Sequence, residues 1–288
     1  MTNINSQYKT WKITLLIKIK RKLAIHHKIK TMQRDEKKRF SRTVDYYLRY
    51  RPGYPEALLP FMQQEMGLSP GAVIADIGAG TGKLTEVFLA NGNRVFGVEP
   101  NEDMRLAAEA LLAEYPNFQS VDASAEATAL ADRSVDFITA GTAFHWFDKA
   151  ATRAEWQRVL TPEGWELLVW NYRANERSAF MQAYENFLLE YSSDYKKVKE
   201  SYPDQAVFDR FFGESNWQRV RLDHQQVFDF QGLKGRYLSC SYALPENHPQ
   251  FEAAMDALRV IFERFQQNSE ITHWYDTVLI FGKLQQHQ

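Results

Sequence analysis

One segment limits what this chain can fold into more than any other. The apolar run Val73–Ile77 leads into a turn, 78–82, that has glycine at alternate positions. A second apolar run, 94–98, ends on Glu99, about twenty residues after the first glycine. Glycine takes positive φ freely and lets the backbone approach a ligand. Strand, glycine turn, helix and acid-terminated strand therefore predict a nucleoside site at the carboxyl edge of a parallel sheet, with Glu99 on the ribose hydroxyls.

The glycine spacing distinguishes three classes of nucleotide site. A dinucleotide fingerprint needs its third glycine where Lys83 stands, which disfavours a nicotinamide cofactor. A phosphate-binding P-loop needs glycine and Ser/Thr where the chain has Ile77 and Leu84. Segment 76–82, an acid followed by Gly-x-Gly-x-Gly, resembles the first motif of class I S-adenosylmethionine-dependent methyltransferases. The resemblance implies that the turn wraps the methionine portion of that cofactor. An ordinary turn without a ligand is the alternative.

Composition is typical of a globular protein. The chain has 288 residues, 44% of them hydrophobic, and a negative mean hydropathy. It contains no apolar run of about 18 residues, so no membrane span is expected. The single cysteine, Cys240, cannot form an internal disulfide, which predicts a reducing compartment such as the cytoplasm. We expect Cys240 to be a small buried residue rather than a nucleophile.

Charge divides the chain into two parts. Residues 1–40 carry twelve Lys/Arg and two Asp/Glu, whereas residues 41–288 have a net charge of −11. An acidic body disfavours a nucleic-acid partner, because such binding depends on phosphate neutralisation. We predict that 1–31 is a basic extension, disordered or non-native, ahead of a start at Met32; a targeting peptide or membrane-surface helix is the alternative. Residues 32–288 are then a single domain.

Strands and helices are predicted to alternate beyond Met32. The expected strands are 72–77, 94–98, 117–121, 135–140, 165–170, 217–229 and 277–281, with a short helix before the fourth. This alternation predicts an α/β fold with a Rossmann-like, seven-stranded, mostly parallel sheet and helices on both faces. The aromatic, charged segment 174–213 is expected to be a helical insertion after the fifth strand that acts as a lid.

Two further motifs follow the third and fourth strands. By the family resemblance, Asp122 accepts from the adenine amine and the Ala123 amide serves a ring nitrogen; helix capping by Asp122 or Ser124 is the alternative. In 140–148, the small residues at 140–143 are implied to pass beneath the methionine portion. His145 then lies near the transferable methyl as a candidate proton acceptor, although a structural histidine is the alternative.

The Phe-His-Trp-Phe-Asp pattern, 144–148, and the Tyr-Arg-Pro-Gly-Tyr-Pro pattern, 50–55, narrow the resemblance. Both are similar to the small-molecule branch of the class, the methyltransferase type 11 and trans-aconitate methyltransferase-like proteins, over about residues 40–172. This implies that Arg51 pairs with the cofactor carboxylate and that Tyr46 or Tyr50 closes over the methionine portion. In 235–242, Arg236 is expected to bind an acidic acceptor, or else to be a surface arginine.

The predicted site is therefore extensive. Its cofactor-binding residues are Tyr46, Arg51, Asp76, Gly78, Ala79, Gly80, Thr81, Gly82, Glu99, Pro100, Asn101, Met104, Asp122, Ala123, Ser124, Ala140, Gly141 and Phe144. Its acceptor-binding residues are His145, Trp146, Arg236 and Tyr242, with His145 catalytic and Trp146 alternatively a packing residue. No metal site is predicted.

The predicted reaction is in-line methyl transfer from S-adenosylmethionine to a small-molecule carboxylate, hydroxyl or carbon acid. A non-catalytic S-adenosylmethionine-binding regulatory or interaction protein and a nicotinamide-dependent oxidoreductase are the alternatives. Monomer and dimer both remain open.

Removing residues 1–31 tests the predicted extension. A chain that begins at Met32 should keep the melting temperature and the cofactor affinity of the full chain, because the basic segment differs in composition from the acidic body. Calorimetry measures both quantities. A large loss of either one would show that the segment belongs to the folded domain.

Overall fold

Alternating strands and helices follow soon after Tyr46, the first residue that this computed structural model describes. The structure describes residues 46, 48–200 and 202–284, all within a unit that spans 44–288. The predicted extension, 1–31, lies outside the described residues. Within these ranges, no helix has the length and apolar character needed to span a bilayer.

The described strands form one seven-stranded sheet in the order β3-β2-β1-β4-β5-β7-β6. Their bounds are β1 Val73–Ile77, β2 Arg94–Val98, β3 Phe118–Val121, β4 Val135–Gly141, β5 Leu160–Arg173, β6 Trp217–Phe228 and β7 Ile271–Gly282. The first five strands pair in parallel, and β7 is antiparallel to both β5 and β6. The predicted mostly parallel, Rossmann-like sheet is confirmed, although β5 and β7 are longer than expected.

Helices cover the sheet and fill the predicted insertion. They are α1 Leu58–Glu65, α2 Lys83–Ala90, α3 Glu102–Leu112, α4 Lys149–Val159, α5 Ala179–Glu190, α6 Tyr195–Glu200, α7 Gln205–Phe212, α8 Phe230–Leu238 and α9 Phe251–Phe265. Side chains cap several N-termini; Asp229, for example, accepts a bond from the Gly232 amide at the start of α8. Helices α5, α6 and α7 occupy 174–213 as predicted.

Two local predictions are wrong. The helix expected before β4 is missing from residues 122–134, which form turns and a Ser124–Ala127 bridge. Neither Asp122 nor Ser124 therefore caps a helix there. Helix α8, in turn, was not predicted, because Gly232 and Gly235 lower its helix propensity by about 1 kcal/mol each relative to alanine.

Phe144 belongs to the hydrophobic core. It is buried in the 3-10 turn after β4. Its ring centroid lies 4.7 Å from that of Phe211 in α7 and 6.3 Å from that of Trp156 in α4. Burial of an aromatic ring among other rings stabilises the fold, and the cofactor contact expected for Phe144 stays a prediction.

Truncating this side chain should destabilise the fold. Phe144→Ala should lower the free energy of unfolding by about 3–5 kcal/mol, because it removes a buried ring from a packed aromatic cluster. Trp146→Ala is the matched control; that ring is 78% exposed and its loss should cost less than about 0.5 kcal/mol. Urea unfolding of both variants makes the comparison. Equal stabilities would contradict the core assignment.

Candidate active site

A cavity of about 590 Å³ lies where the chain order of the sheet reverses, beside the carboxyl ends of β1 and β4. Ligands of open α/β sheets bind at such reversal points. The volume falls within the range of about 300–1,000 Å³ that is typical of small-molecule sites. The glycine turn, the loop after β4, the end of β5 and helix α6 all contribute residues to its wall.

The glycine turn has the backbone that its sequence predicts. Gly78, Gly80 and Gly82 have φ values of +67°, +57° and +81°. A Cβ atom on Gly78 would lie 2.6 Å from the Ala143 Cβ, so the loop after β4 packs directly on the turn. A Cβ atom on Gly80 would meet nothing within 4 Å. The turn thus combines one closely packed glycine with one beside open space.

Asp76 fixes the turn from below. Its buried carboxylate accepts a bond from Thr85 Oγ1 of α2 at 2.6 Å and from Thr139 Oγ1 of β4 at 3.0 Å. Burial raises the pKa of Asp76 to about 6, although both threonine bonds oppose this rise. Asp76 lines the cavity, and its two hydrogen bonds connect β1 to α2 and to β4.

Glu99 lies at the end of β2 and points at the glycine turn. Its Oε2 accepts from the Gly80 amide at 2.8 Å, and its Oε1 accepts from the Asn101 amide at 2.9 Å. A carboxylate has about four acceptor positions, so both oxygens retain capacity for the ribose hydroxyls. Glu99 is not among the residues that line the cavity.

Several predicted cofactor residues lie away from the cavity wall. Besides Glu99 and Phe144, these are Tyr46, Gly82, Pro100, Asn101, Met104, Asp122, Ala123, Ser124 and Ala140. Asn101 caps α3 by accepting from the Met104 amide at 3.0 Å. Asp122 is 67% exposed and pairs with Arg105 at 2.9 Å. Ala140 is buried in the core. Their roles as cofactor contacts remain predictions.

The predicted residues that do line the cavity come from both ends of the site. They are Arg51, Asp76, Gly78, Ala79, Gly80, Thr81, Gly141, His145, Trp146, Arg236 and Tyr242. Trp146 is exposed at the wall, so its alternative role as a packing residue is wrong. Arg236 is 3% exposed, so it is not a surface arginine.

His145 sits on the 3-10 turn after β4. Its ring packs edge-on against Tyr202, with centroids 5.7 Å apart. Its Nδ1 is buried and has no hydrogen-bond partner among the described residues. Burial lowers the pKa of His145 to about 4, and the charge of Lys149 adds to this effect. The imidazole is therefore neutral at pH 7.

Many residues on one side of the cavity wall were not predicted from the sequence. The end of β5 contributes Tyr172, Arg173 and Asn175, the region of α6 contributes Tyr195, Val198, Lys199 and Tyr202, and β6 contributes Arg219. Tyr195, Val198 and Lys199, at i, i+3 and i+4, share one face of α6, and this spacing was the available signal. Parallel strands place their carboxyl ends at one edge, so the end of β5 was also predictable.

The segment 48–54 crosses the cavity, and we call it the strap. Lys83 Nζ donates to the Leu48 carbonyl at 2.9 Å, and Asn171 Nδ2 donates to the Gly53 carbonyl at 2.8 Å. Arg51 Nε donates to the Ser239 carbonyl at 3.2 Å. The strap is thus held by the helix after the glycine turn, by β5 and by the end of α8.

The sheet order and the site at its reversal point define a Rossmann-like, nucleoside-binding α/β fold.

A methyltransferase domain family matches residues 75–168. An uncharacterised methyltransferase of Schizosaccharomyces pombe is 33% identical over 137 residues, 47% of this chain and 53% of that protein. A methyltransferase-like protein of the same yeast is 26% identical over 248 residues, 84% of this chain and 93% of its own length.

The chain spans about half the length of several curated relatives. One is an uncharacterised methyltransferase of Mycobacterium tuberculosis, which is 37% identical over 143 residues. The aligned part is 49% of this chain and 55% of that protein. A solved structure from Anabaena variabilis, assigned as a methyltransferase of an antibiotic biosynthesis pathway, has a TM-score of 0.58 and 20% identity over 82% of this chain and 99% of that chain. It shares the fold. The family match covers residues 75–168, and the relatives that align with this part of the chain carry methyltransferase names.

Glu99 provides a direct test of the cofactor end. Glu99→Ala should weaken binding of S-adenosylhomocysteine at least tenfold, about 1.4 kcal/mol, because the ribose hydroxyls lose their acceptor. Glu102→Ala, three residues further on and exposed in the first turn of α3, should bind normally. Titration calorimetry measures both affinities. Unchanged affinity in Glu99→Ala would rule out the ribose assignment.

Proposed function

We propose that this chain transfers a methyl group from S-adenosylmethionine to a carboxylate of a small acidic molecule. The charge of the cavity wall carries this proposal. The wall contains six cationic side chains, Arg51, Lys83, Arg173, Lys199, Arg219 and Arg236, and its only acid among the described residues is Asp76. The body as a whole, 41–288, is acidic. A basic cavity in an acidic body favours an anionic ligand over a neutral one.

The cofactor end has features that fit S-adenosylmethionine. Gly80 leaves open space beside its backbone. The hydroxyl of Thr81 lines the cavity and has no partner among the described residues, although the side chain is only 3% exposed. A buried hydroxyl without a partner costs free energy unless a ligand satisfies it. Gly78–Thr81 and Glu99 would hold the nucleoside and the methionine portion, and the bound sulfonium supplies an activated methyl group.

The protein mainly aligns the two reactants and excludes water. Such positioning supplies much of the barrier reduction in a displacement with an activated leaving group. Tyr172, Tyr202 and His145 form one wall in which each ring contacts the next, with centroids 4.9 Å and 5.7 Å apart. The three rings come from three different parts of the chain, the turn after β4, β5 and the segment after α6.

His145 decides between the acceptor groups. A base whose pKa is about 4 is poorly matched to a hydroxyl or carbon acid at neutral pH, because efficient proton transfer needs a pKa near the working pH. A carboxylate acceptor is already ionised and needs no base. The low basicity of His145 and the cationic wall therefore support the same choice, a carboxylate oxygen that becomes a methyl ester.

A non-catalytic role on the same fold is disfavoured by the cavity itself. A regulator that only binds cofactor would be expected to fill the space beside His145 with packed side chains. Instead one cavity of about 590 Å³ is lined by both the glycine turn and His145. Turnover with a panel of small carboxylic acids, followed by release of S-adenosylhomocysteine, tests the proposal; no turnover with any of them would contradict it.

His145→Ala distinguishes the acceptor groups. With a carboxylate acceptor, kcat should fall less than about tenfold, since no general base is lost. The neutral imidazole fraction rises as pH rises through about 4, so turnover should be flat between about pH 6 and pH 8. Steady-state kinetics on an acid from the panel measures both. A fall in kcat of about 100-fold or more, with unchanged cofactor affinity, would instead make His145 the base for a hydroxyl or carbon acid.

A further inference from the structure

Two buried arginines meet the cavity from different elements. Arg173 is the last residue of β5, and Arg236 lies in the last turn of α8. Both line the cavity wall. A guanidinium group keeps its charge at any pH at which a protein is folded. The fold therefore carries two permanent positive charges to the acceptor side.

These charges have too few counter-charges. Arg173 Nε lies 3.8 Å from Glu185 Oε2, and Glu185 also binds Lys199 Nζ at 2.9 Å. Arg236 forms no ion pair with any carboxylate of the described residues; its Nε donates to the Tyr275 hydroxyl at 2.9 Å. Arg173 and Lys199 thus share one carboxylate, and Arg236 has none among the described residues. Burying a charge without a counter-charge is costly, so the arrangement is one that an anion would stabilise.

The Arg173 guanidinium is held in a fixed orientation. Its Nη1 donates to the Tyr242 hydroxyl at 2.9 Å, and the group lies over the Tyr195 ring, 4.8 Å from the centroid. The Tyr195 hydroxyl donates in turn to Glu185. Despite these contacts, Arg173 Nε is buried and has no hydrogen-bond acceptor in the part of the chain that the structure describes. The unused donor belongs to a guanidinium group that its other contacts hold at the cavity wall.

We propose that Arg173 and Arg236 together form an oxyanion subsite that binds a carboxylate or phosphate of the methyl acceptor. The planar fork of N–H donors on each guanidinium matches the oxygens of such a group. Glu185 is a positioning residue, because it fixes Arg173 and the α6 side chains without entering the cavity wall. The inference rests on the proposed function and adds Arg173 to the acceptor site.

Cys240 provides a built-in reporter of this subsite. It is the only cysteine among the 288 residues, and its Sγ lies 3.0 Å from Arg236 Nη1. Burial raises the pKa of Cys240, but the charges of Arg236, Arg51 and Arg173 and a bond with Tyr242 lower it to about 7. The ionisable groups around the thiol are Arg51, Arg173, Arg236, Tyr184, Tyr237, Tyr242 and Tyr275.

An anion on the arginine pair would cancel part of this positive charge and disfavour the thiolate. The experiment records thiolate absorbance at pH 7 in the full chain while succinate or inorganic phosphate is added at constant ionic strength, set with chloride. Cys240→Ser supplies the blank. We expect the thiolate fraction to fall at least about twofold with one or both anions.

Substitutions assign the effect to the pair. Arg173→Gln and Arg236→Gln should each reduce the anion response by at least about fivefold. Arg177→Gln is the matched control, because Arg177 lies close in sequence but outside the cavity wall, paired with Asp223 at 2.6 Å. It should respond like the unmodified chain. Circular dichroism checks folding; if Arg236→Gln does not fold, Arg173→Gln alone decides.

Three outcomes would overturn the proposal: no response to either anion, an unchanged response in Arg173→Gln, or an equal loss in Arg177→Gln. The cofactor also carries a carboxylate, so the titration is repeated with S-adenosylhomocysteine and with 5′-methylthioadenosine, which lacks that group. A full response to S-adenosylhomocysteine alone, with no further effect of succinate, would assign the pair to the cofactor and also overturn the proposal.

The proposed methyl transfer and the proposed oxyanion subsite can be rejected independently of each other. If the chain binds no S-adenosylhomocysteine by calorimetry, the proposed methyl transfer is wrong, whereas the anion titration is still readable because it needs no cofactor. If the cofactor binds and the anions have no effect, the subsite is wrong and the methyl transfer stands.

Discussion

The site depends on one buried carboxylate. Asp76 joins the end of β1 to Thr139 in β4 and to Thr85 in α2, across the place where the sheet reverses its order. The glycine turn lies directly above these bonds, and the turn in turn supports the loop that carries His145, because Gly78 packs against Ala143. The cavity floor thus depends on two features. One is the buried Asp76 carboxylate with its two threonine hydroxyl partners. The other is a glycine at position 78, where the turn packs against Ala143.

Opposite charges are separated within the same domain. The net charge of 41–288 is −11, yet the described charged residues that line the cavity are six cations and one acid, Asp76. Low-dielectric walls concentrate the field of the inward cations, so the sign of the potential inside the cavity follows its own lining and not the net charge. The net charge of the domain is therefore a poor guide to the charge of the ligand that the cavity favours.

Periodicity and strand-end position predicted most of the fold, because these signals are local. The same reasoning placed Asp76, His145 and Arg236 correctly at the cavity. It was silent where the deciding contact is distant in sequence. Phe211 packs against Phe144 from another element, and Arg173 lines the cavity beside Tyr242 and Glu185, contacts that no local pattern predicts.

The strap links the two ends of the site through contacts that neither end makes alone. Lys83, directly after the glycine turn, binds the Leu48 carbonyl, whereas Arg51 binds the Ser239 carbonyl beyond the end of α8. Helix α8 also carries Arg236, so the strap contacts both the helix after the glycine turn and the helix that supplies Arg236 to the cavity wall. The position of the strap is thus set by residues that lie far apart in the chain, and no local pattern of the sequence specifies it.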